Sequence, residues 1–473
     1  MSALDTDYLI IGAGATGLAF ADTLLEESKE AHITIVDRHA KPGGHWNDAY
    51  PFVALHQPSA FYGVGSLELG SGLKDRLGHN AGMYELASGA EINGYFNRVM
   101  QQRLLPSGRV RYMPMSNYTQ DGNGLGQIES LLSGQTTPIT LRKKLVDATH
   151  FSPNVPSTHT PKYRVASGVH LIPPNGLAHL WQAPERPQHF CIIGAGKTGM
   201  DVGVWLLSHG VAPDAISWVM PRDSWVVNRV TTQPGVEFFM QSIGGQAKQL
   251  EALSQATSAD DFFDRLEAAG QMLRIDPKVR PSMFHIATMS EGEVALLRQI
   301  TQVIRKGHVQ EINASGLLLD QGHVPMPTNT LYIDCSASAV EYKKSQPIFQ
   351  SKKIVPQLVR APLISFSASL IAYVEAHYDT DEQKNKLCYP VPFPHQMQGY
   401  IATCLFNMMN QMNWGQDKVL RAWMRSNRLD GFGKLTAGVD PEDLEKSAVL
   451  AQLKNLGPVA AANAQKLLAA ARA

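Results

Sequence analysis

Gly12-Ala13-Gly14-Ala15-Thr16-Gly17, read directly after the apolar run Tyr8-Leu9-Ile10-Ile11, decides how this chain folds, and it has an echo. Gly194-Ala195-Gly196-Lys197-Thr198-Gly199 comes after Phe190-Cys191-Ile192-Ile193 about 180 residues later. Short apolar runs that stop at glycine read as buried parallel strands. After each, the first glycine allows a tight turn, the second lets the backbone approach a pyrophosphate, and the third lets a helix pack closely on the strand. Helical spacing continues each unit: Leu18, Ala21, Leu24 and Leu25 share one face, as do Val202, Trp205 and Leu206. A pyrophosphate is expected on each helix N-terminus, at Ala15 and Thr16 in the first copy and at Lys197 and Thr198 in the second. Two dinucleotide sites in one chain imply electron transfer.

The two copies part ways at their second strands. His32-Ile33-Thr34-Ile35-Val36 reads as a strand, and Asp37 ends it 20 residues after Gly17, where a carboxylate can bind a ribose hydroxyl. In the second copy the corresponding strand, Ile216 to Met220, leads to Arg222. A guanidinium there suits the phosphate that distinguishes NADP from NAD. An ordinary exposed arginine is the plain alternative, and Asp223 competes beside it. Gly196-Lys197-Thr198 also hints at a nucleotide P-loop, but that motif requires glycine where Cys191 stands.

Composition narrows the class. A chain of 473 residues implies two or three domains. A formal net charge of zero leaves no electrostatic footprint for nucleic acid or an anionic membrane. Cys191, Cys335, Cys388 and Cys404 are scattered, with no Cys-x-x-Cys and no metal-ligand spacing, so no metal site is expected. The missing cysteine pair excludes the disulfide reductases, which also carry two dinucleotide sites. Asp5 and Asp7 precede the first apolar run where a secretory signal would carry basic residues, and no apolar stretch is long enough to span a bilayer. A cytoplasmic protein without a membrane span is the expectation.

Along the chain, strands and long glycine-rich loops such as 63–82 run to about Tyr163, and the second unit opens near Phe190. From about Ser242 to Gln302 the pattern turns helical through Phe262, Phe263, Leu266, Val294 and Leu297, with Asp260 or Asp261 placed to cap a helix start. Strand character returns at 309–312, 317–319 and 330–334, and the last 130 residues read as mainly helical. Asp440-Pro441 reads as a helix start and Gly457-Pro458 as a stop, giving a terminal pair, 444–456 and 460–471. That pair suits a homodimer contact or a cap on its own chain equally.

Directly after Asp37 comes Arg38-His39-Ala40-Lys41-Pro42-Gly43-Gly44-His45-Trp46. With this addition, roughly residues 6–340 resemble the flavin-containing monooxygenases, a superfamily with N-hydroxylating and Baeyer-Villiger relatives. The resemblance implies FAD on Gly12, Gly14 and Gly17, with Asp37 and Arg38 at the ribose and Gly44, His45 and Trp46 near the flavin. It implies NADPH on Gly194, Gly196 and Gly199, with Arg222 as the basic residue and Trp225-Val226 close behind. The fold it implies is α/β: two Rossmann-like dinucleotide-binding domains, the NAD(P)H domain inserted in the FAD domain, plus a helical C-terminal region. We expect residues 1–165 to form the first part of the FAD domain and 166–329 the NAD(P)H domain with a helical insertion. Residues 330–473 would form the second FAD part and the C-terminal helices, with strand 330–336 returning the chain to the FAD domain.

Several family signatures are altered. In the linker, His159-Thr160-Pro161-Lys162-Tyr163 fits, and this histidine is expected between domains, whereas Pro153 and Val155 replace the usual Phe and Gly. The strand ends read Ala148-Thr149-His150 and Cys335-Ser336-Ala337. The Baeyer-Villiger stretch becomes Ala49-Tyr50-Pro51-Phe52 and Leu55-His56, and Gln57 stands near where the N- and S-oxidising members place asparagine. Candidate donors to charge developing during catalysis are therefore His56, Gln57, His150 and Asn228, each with a structural role as the plain alternative. Met397, Met408, Met409 and Met412, with Phe406 and Trp414, suit a helical core better than a substrate cavity. The expected activity is oxidation of a small apolar organic substrate with molecular oxygen. A flavin-dependent NAD(P)H dehydrogenase or oxidase, and a non-catalytic dinucleotide-binding protein, are the alternatives.

Overall fold

The computed structural model describes residues 3–120, 126–151, 153–337 and 343–471. The chain opens with β1 (Leu4–Ile11), α1 (Ala15–Glu27) and β2 (Ile33–Val36). After a long loop come α2 (Gly89–Arg98), β3 (Val110–Met113) and a meander of β4 (Ser116–Gln120), β5 (Gly126–Ser130) and β6 (Thr136–Asp147). β1 is flanked in parallel by β2 and β6, and β3 lies outside β2. Apolar side chains bury both faces of β1, as a central parallel strand requires. Gly12 turns the chain off β1 at φ +100°, a conformation other residues rarely adopt.

The second unit is built to the same plan. The chain passes β7 (Arg164–Val165), β8 (Leu171–Ile172) and α3 (Pro174–Leu177) before β9 (His189–Ile193), α4 (Lys197–Ser208) and β10 (Ile216–Val219). Next are β11 (Ser224–Asn228), α5 (Phe239–Gln255), α6 (Ala259–Ala268), β12 (Met272–Leu273), β13 (Met283–Met289), α7 (Glu291–Leu297) and β14 (Gln302–Ile304). A hairpin series, β15 (Val309–Asn313), β16 (Gly316–Leu319) and β17 (Gly322–Pro325), leads to β18 (Thr330–Asp334). The parallel sheet runs β14-β10-β9-β18-β8, while β12-β11-β13 and β17-β16-β15-β7 form two smaller sheets.

Strand 330–334 therefore belongs to the second sheet, paired with β9 and β8, and does not return the chain to the first. That return is made by β19 (Phe349–Gln350) and β20 (Lys353–Ile354), where Lys353 pairs Leu145 of β6. β18 is buried along its whole length, which only a place inside a covered parallel sheet allows. The stretch expected to be helical from 242 to 302 is broken by β12 and β13. Its second helix is capped by Ser258, whose hydroxyl accepts from the Asp261 N–H at 3.0 Å, so neither Asp260 nor Asp261 is the cap.

Helices α8 (Ile364–His377), α9 (Asp381–Leu387), α10 (Met397–Gln416), α11 (Lys418–Ser426), α12 (Gly431–Ala437) and α13 (Leu444–Ala470) complete the chain. α1 is buried on all sides from Gly17 to Leu25, because α8 covers the face turned away from the sheet. Thr23 and Ser369 share a hydrogen bond of 2.8 Å across that contact. α13 starts at Leu444 behind its cap Asp443 and runs unbroken through Pro458. The expected pair of helices is thus one. Gly457 ahead of the proline has no Cβ to meet the ring, and Ala460 and Ala464 bury against the cluster of Phe262, Phe263 and Ile401. In α10, Met397 and Trp414 are core, with the Trp414 indole N–H donating to the Leu387 carbonyl at 2.6 Å, while Met412 is exposed. No helix among the described residues is long and apolar enough to cross a membrane.

Candidate functional site

The first fingerprint and the Gly43-Gly44 turn make one surface. A Cβ on Gly17 would overlap the Gly12 carbonyl oxygen, so only glycine lets α1 sit this close to β1. Gly43 donates its N–H to the Ala13 carbonyl at 2.8 Å, and a Cβ on Gly14 would lie 3.4 Å from Gly44 Cα. α1 begins at Gly14 with no side-chain cap, leaving first-turn N–H groups beside the half-buried Ala15 and Thr16 for an anion. Asp37 is buried at the end of β2. Its Oδ2 accepts from the Ala13 N–H at 2.5 Å and its Oδ1 from the His39 N–H at 2.7 Å. Arg38 beside it is exposed. Tyr112 on β3 buries a hydroxyl that has no partner among the described residues, close enough to Asp37 for burial and that carboxylate to push its pKa up. An orphaned hydroxyl beside an acid, next to an uncapped glycine turn, fits the ribose and pyrophosphate of a dinucleotide.

Trp46 turns inward. Its indole N–H donates to the Tyr62 hydroxyl at 2.7 Å, so it anchors the turn from below. His45 is half-buried, and burial lowers its pKa to about 4.

The second fingerprint is more open. A Cβ on Gly199 would overlap the Gly194 carbonyl oxygen, which is held by the Trp218 indole N–H at 2.9 Å. Gly196 is exposed and a Cβ there would meet no atom within 4 Å, which is the room a pyrophosphate needs at the uncapped start of α4. Lys197 pairs with Asp201, and Asp201 accepts from the Tyr50 hydroxyl at 2.7 Å, tying this helix to the loop after Trp46. Phe52 from the same loop stacks on Trp205 of α4 with ring centroids 4.8 Å apart. Arg222 stands exposed beyond β10, with no ion pair to another described residue. Asp223, its competitor in the sequence, is gripped by Arg305 through two bonds of 2.9 Å. That leaves Arg222 as the uncommitted charge at the strand end.

The four candidate donors separate. His56 and Gln57 are half-buried where the first unit meets α4. Burial, then the charges of Lys197 and Arg229, hold His56 well below the usual histidine range, so its imidazole is neutral. His150 lies past β6, where the methyl of neighbouring Thr149 would sit 3.4 Å from a Cβ on Gly12, and burial with Lys343 nearby lowers its pKa. Asn228 does not join them. Its amide donates to the Gly270 carbonyl at 3.2 Å and to Glu291 at 3.0 Å, and its oxygen caps Val230 at 3.4 Å, so it is a joint of the β11 turn with no free donor. The linker docks on β18, where the Tyr163 hydroxyl donates to Asp334 at 3.0 Å and His159 lies 4.0 Å from the same carboxylate.

Asp201, Arg229 and Tyr112 carried no readable motif, and Tyr50 and His39, though inside motif stretches, carried no sign of their partners. Arg229 is fully buried, bonded to Glu293 at 2.6 Å, to the Thr288 carbonyl at 3.0 Å and to the His56 carbonyl at 3.2 Å. Only the fold brings these partners together.

A family model described as an NAD(P)-binding Rossmann-like domain matches residues 10–59, the first fingerprint and its turn. Among solved structures, a cyclohexanone-bound cyclohexanone monooxygenase in its rotated conformation is 13% identical, with a TM-score of 0.51, covering 80% of this chain and 87% of that one. That likeness is one of fold. In sequence, the uncharacterized proteins Rv2000 of Mycobacterium tuberculosis and Mb2023 of Mycobacterium bovis are each 43% identical over 470 residues, 99% of this chain and 86% of theirs. The chain belongs to the family of these mycobacterial proteins, and its fold is that of the flavin monooxygenases.

Proposed function

We propose that this chain is an FAD- and NADPH-dependent monooxygenase acting on a small apolar organic substrate. The observation that carries the reading is one loop, Gly44 to Gln57, which lines the first glycine cradle, straps onto α4 of the second, and ends at a neutral imidazole. Bound FAD would supply the redox chemistry, taking a hydride from NADPH and activating oxygen. The chain's own residues bind and orient. Gly14, Ala15, Thr16 and Asp37 hold one dinucleotide, while Gly196, Lys197, Thr198 and Arg222 hold the other. His56, uncharged, offers a hydrogen bond to a developing negative charge beside the cations Lys197 and Arg229. The run Phe52-Val53-Ala54-Leu55 keeps this junction apolar and helps exclude water, which suits an apolar substrate. A cytoplasmic setting, where NADPH is supplied, fits the same reading.

Reconstitution with FAD, followed by product analysis over a substrate panel under labelled oxygen, tests it. Labelled oxygen in one product atom per NADPH consumed is the expected result. Protein that takes up no FAD ends the proposal, and peroxide without oxygenated product assigns the chain to the oxidases instead. Arg222→Ala should raise the Michaelis constant for NADPH, and not for NADH, by about 10- to 100-fold, the worth of a charge-assisted phosphate contact. Equal effects on both would leave Arg222 a surface residue.

A further inference from the structure

We propose that His39 is a positioning residue for the FAD ribose, acting through Asp37; this rests on the flavin reading above. His39 lies three residues past β2 and grips the acid twice. Its backbone N–H donates to Asp37 Oδ1 at 2.7 Å, and its ring Nδ1 is 2.8 Å from the same oxygen. The other ring nitrogen, Nε2, is 2.8 Å from Asp48 Oδ2. Each ring nitrogen thus faces one carboxylate oxygen, so the imidazole bridges Asp37 and Asp48. The Ala13 N–H holds Asp37 Oδ2 at 2.5 Å, so both oxygens are fixed and the carboxylate cannot swing. One lone pair of Oδ2 remains for a ribose hydroxyl.

The second bond gives the clamp its reach. Asp48 closes the turn Gly44–Asn47, whose Gly44 packs on Gly14. The Asp48 carbonyl accepts from the Ser157 hydroxyl at 2.5 Å and from the Asn175 amide at 3.3 Å. One imidazole therefore joins the ribose acid, the glycine turn and the linker to the second unit. Its side chain is 15% exposed, against 5% for Asp37 and 28% for Asp48, so water competes weakly for these bonds. Without the imidazole, Asp37 keeps its two backbone bonds but loses its side-chain partner and its tie to Asp48 and the glycine turn, so its hold on the ribose loosens.

The test is the dissociation constant of FAD on apoprotein, read by flavin fluorescence quenching, with NADP⁺ binding at the second site as the folding control. His39→Ala should weaken FAD about tenfold or more, as loss of a charge-assisted bond implies, with NADP⁺ unchanged. Asp37→Asn should weaken FAD comparably, and the double variant should be no weaker than Asp37→Asn alone, because His39 acts through that acid. Asp48→Asn, a milder change that spares the glycine turn, should weaken FAD about threefold and serves where His39→Ala does not fold. Unchanged FAD affinity in His39→Ala, or additive losses in the double variant, overturns the role. Unchanged affinity in Asp37→Asn overturns the flavin assignment itself.

Discussion

Gly196 separates fold from ligand binding more cleanly than any other residue in the two cradles. Its backbone, at φ −79° and ψ 178°, is one a branched residue adopts, and a side chain there meets only open space. Gly196→Val should therefore keep the melting temperature and lose NADPH binding by about 100-fold or more; calorimetry and titration on one sample check both halves. At Gly14 the space is already taken by Gly44, so Gly14→Val should cost FAD retention and disturb the turn as well. His45 gives a pH signature. Its folded pKa of about 4 lies below the ordinary histidine value of 6.5, so the unfolded chain binds the extra proton first as pH falls. Stability from His45 is full above pH 6.5 and lost as pH falls toward 4. In His45→Gln apoprotein, melting temperature should fall less steeply across that window than in the parent.

The elements most exposed to surprise were those whose ends depend on distant packing. α13 is a 27-residue helix that carries Pro458 in its middle, where the Lys454 carbonyl loses its N–H partner. Pro458 is exposed on that helix, so Pro458→Ala restores that bond at little packing cost. Urea unfolding should show a gain of about 1–3 kcal/mol, and a loss would mean that the proline shapes the contact with α5 and α10. The same packing explains why the expected stop was overridden. Strand β18 shows the converse: its apolar run was plain, but nothing in five residues says which of two similar sheets will take them.

On the scale of the whole molecule, the two nucleotide-binding units are held together by a short aromatic strap. Tyr50 and Phe52 pack at 4.8 Å, Phe52 stacks on Trp205, and the Tyr50 hydroxyl bonds Asp201. Phe52→Ala should cost about 1–3 kcal/mol and split a single calorimetric transition into two, one for each unit. A single transition in the variant would show that the linker and the C-terminal helices couple the units without it.

Both Rossmann units were legible from local text, because a strand, a glycine turn and a helix succeed one another in the chain and their chemistry acts over a few residues. Asp37 was readable as a candidate from its distance to Gly17, and Arg222 from its place at the end of a strand. The cluster around His56 and the commitment of Asn228 to its own turn could not, since their partners lie up to 173 residues away in sequence, and the clamp on Asp37, though local, depends on how the loop after β2 folds back. Burial and charge at those places arise only when the two sheets close on one loop. Tertiary structure alone decided which side chains became free donors and which became joints.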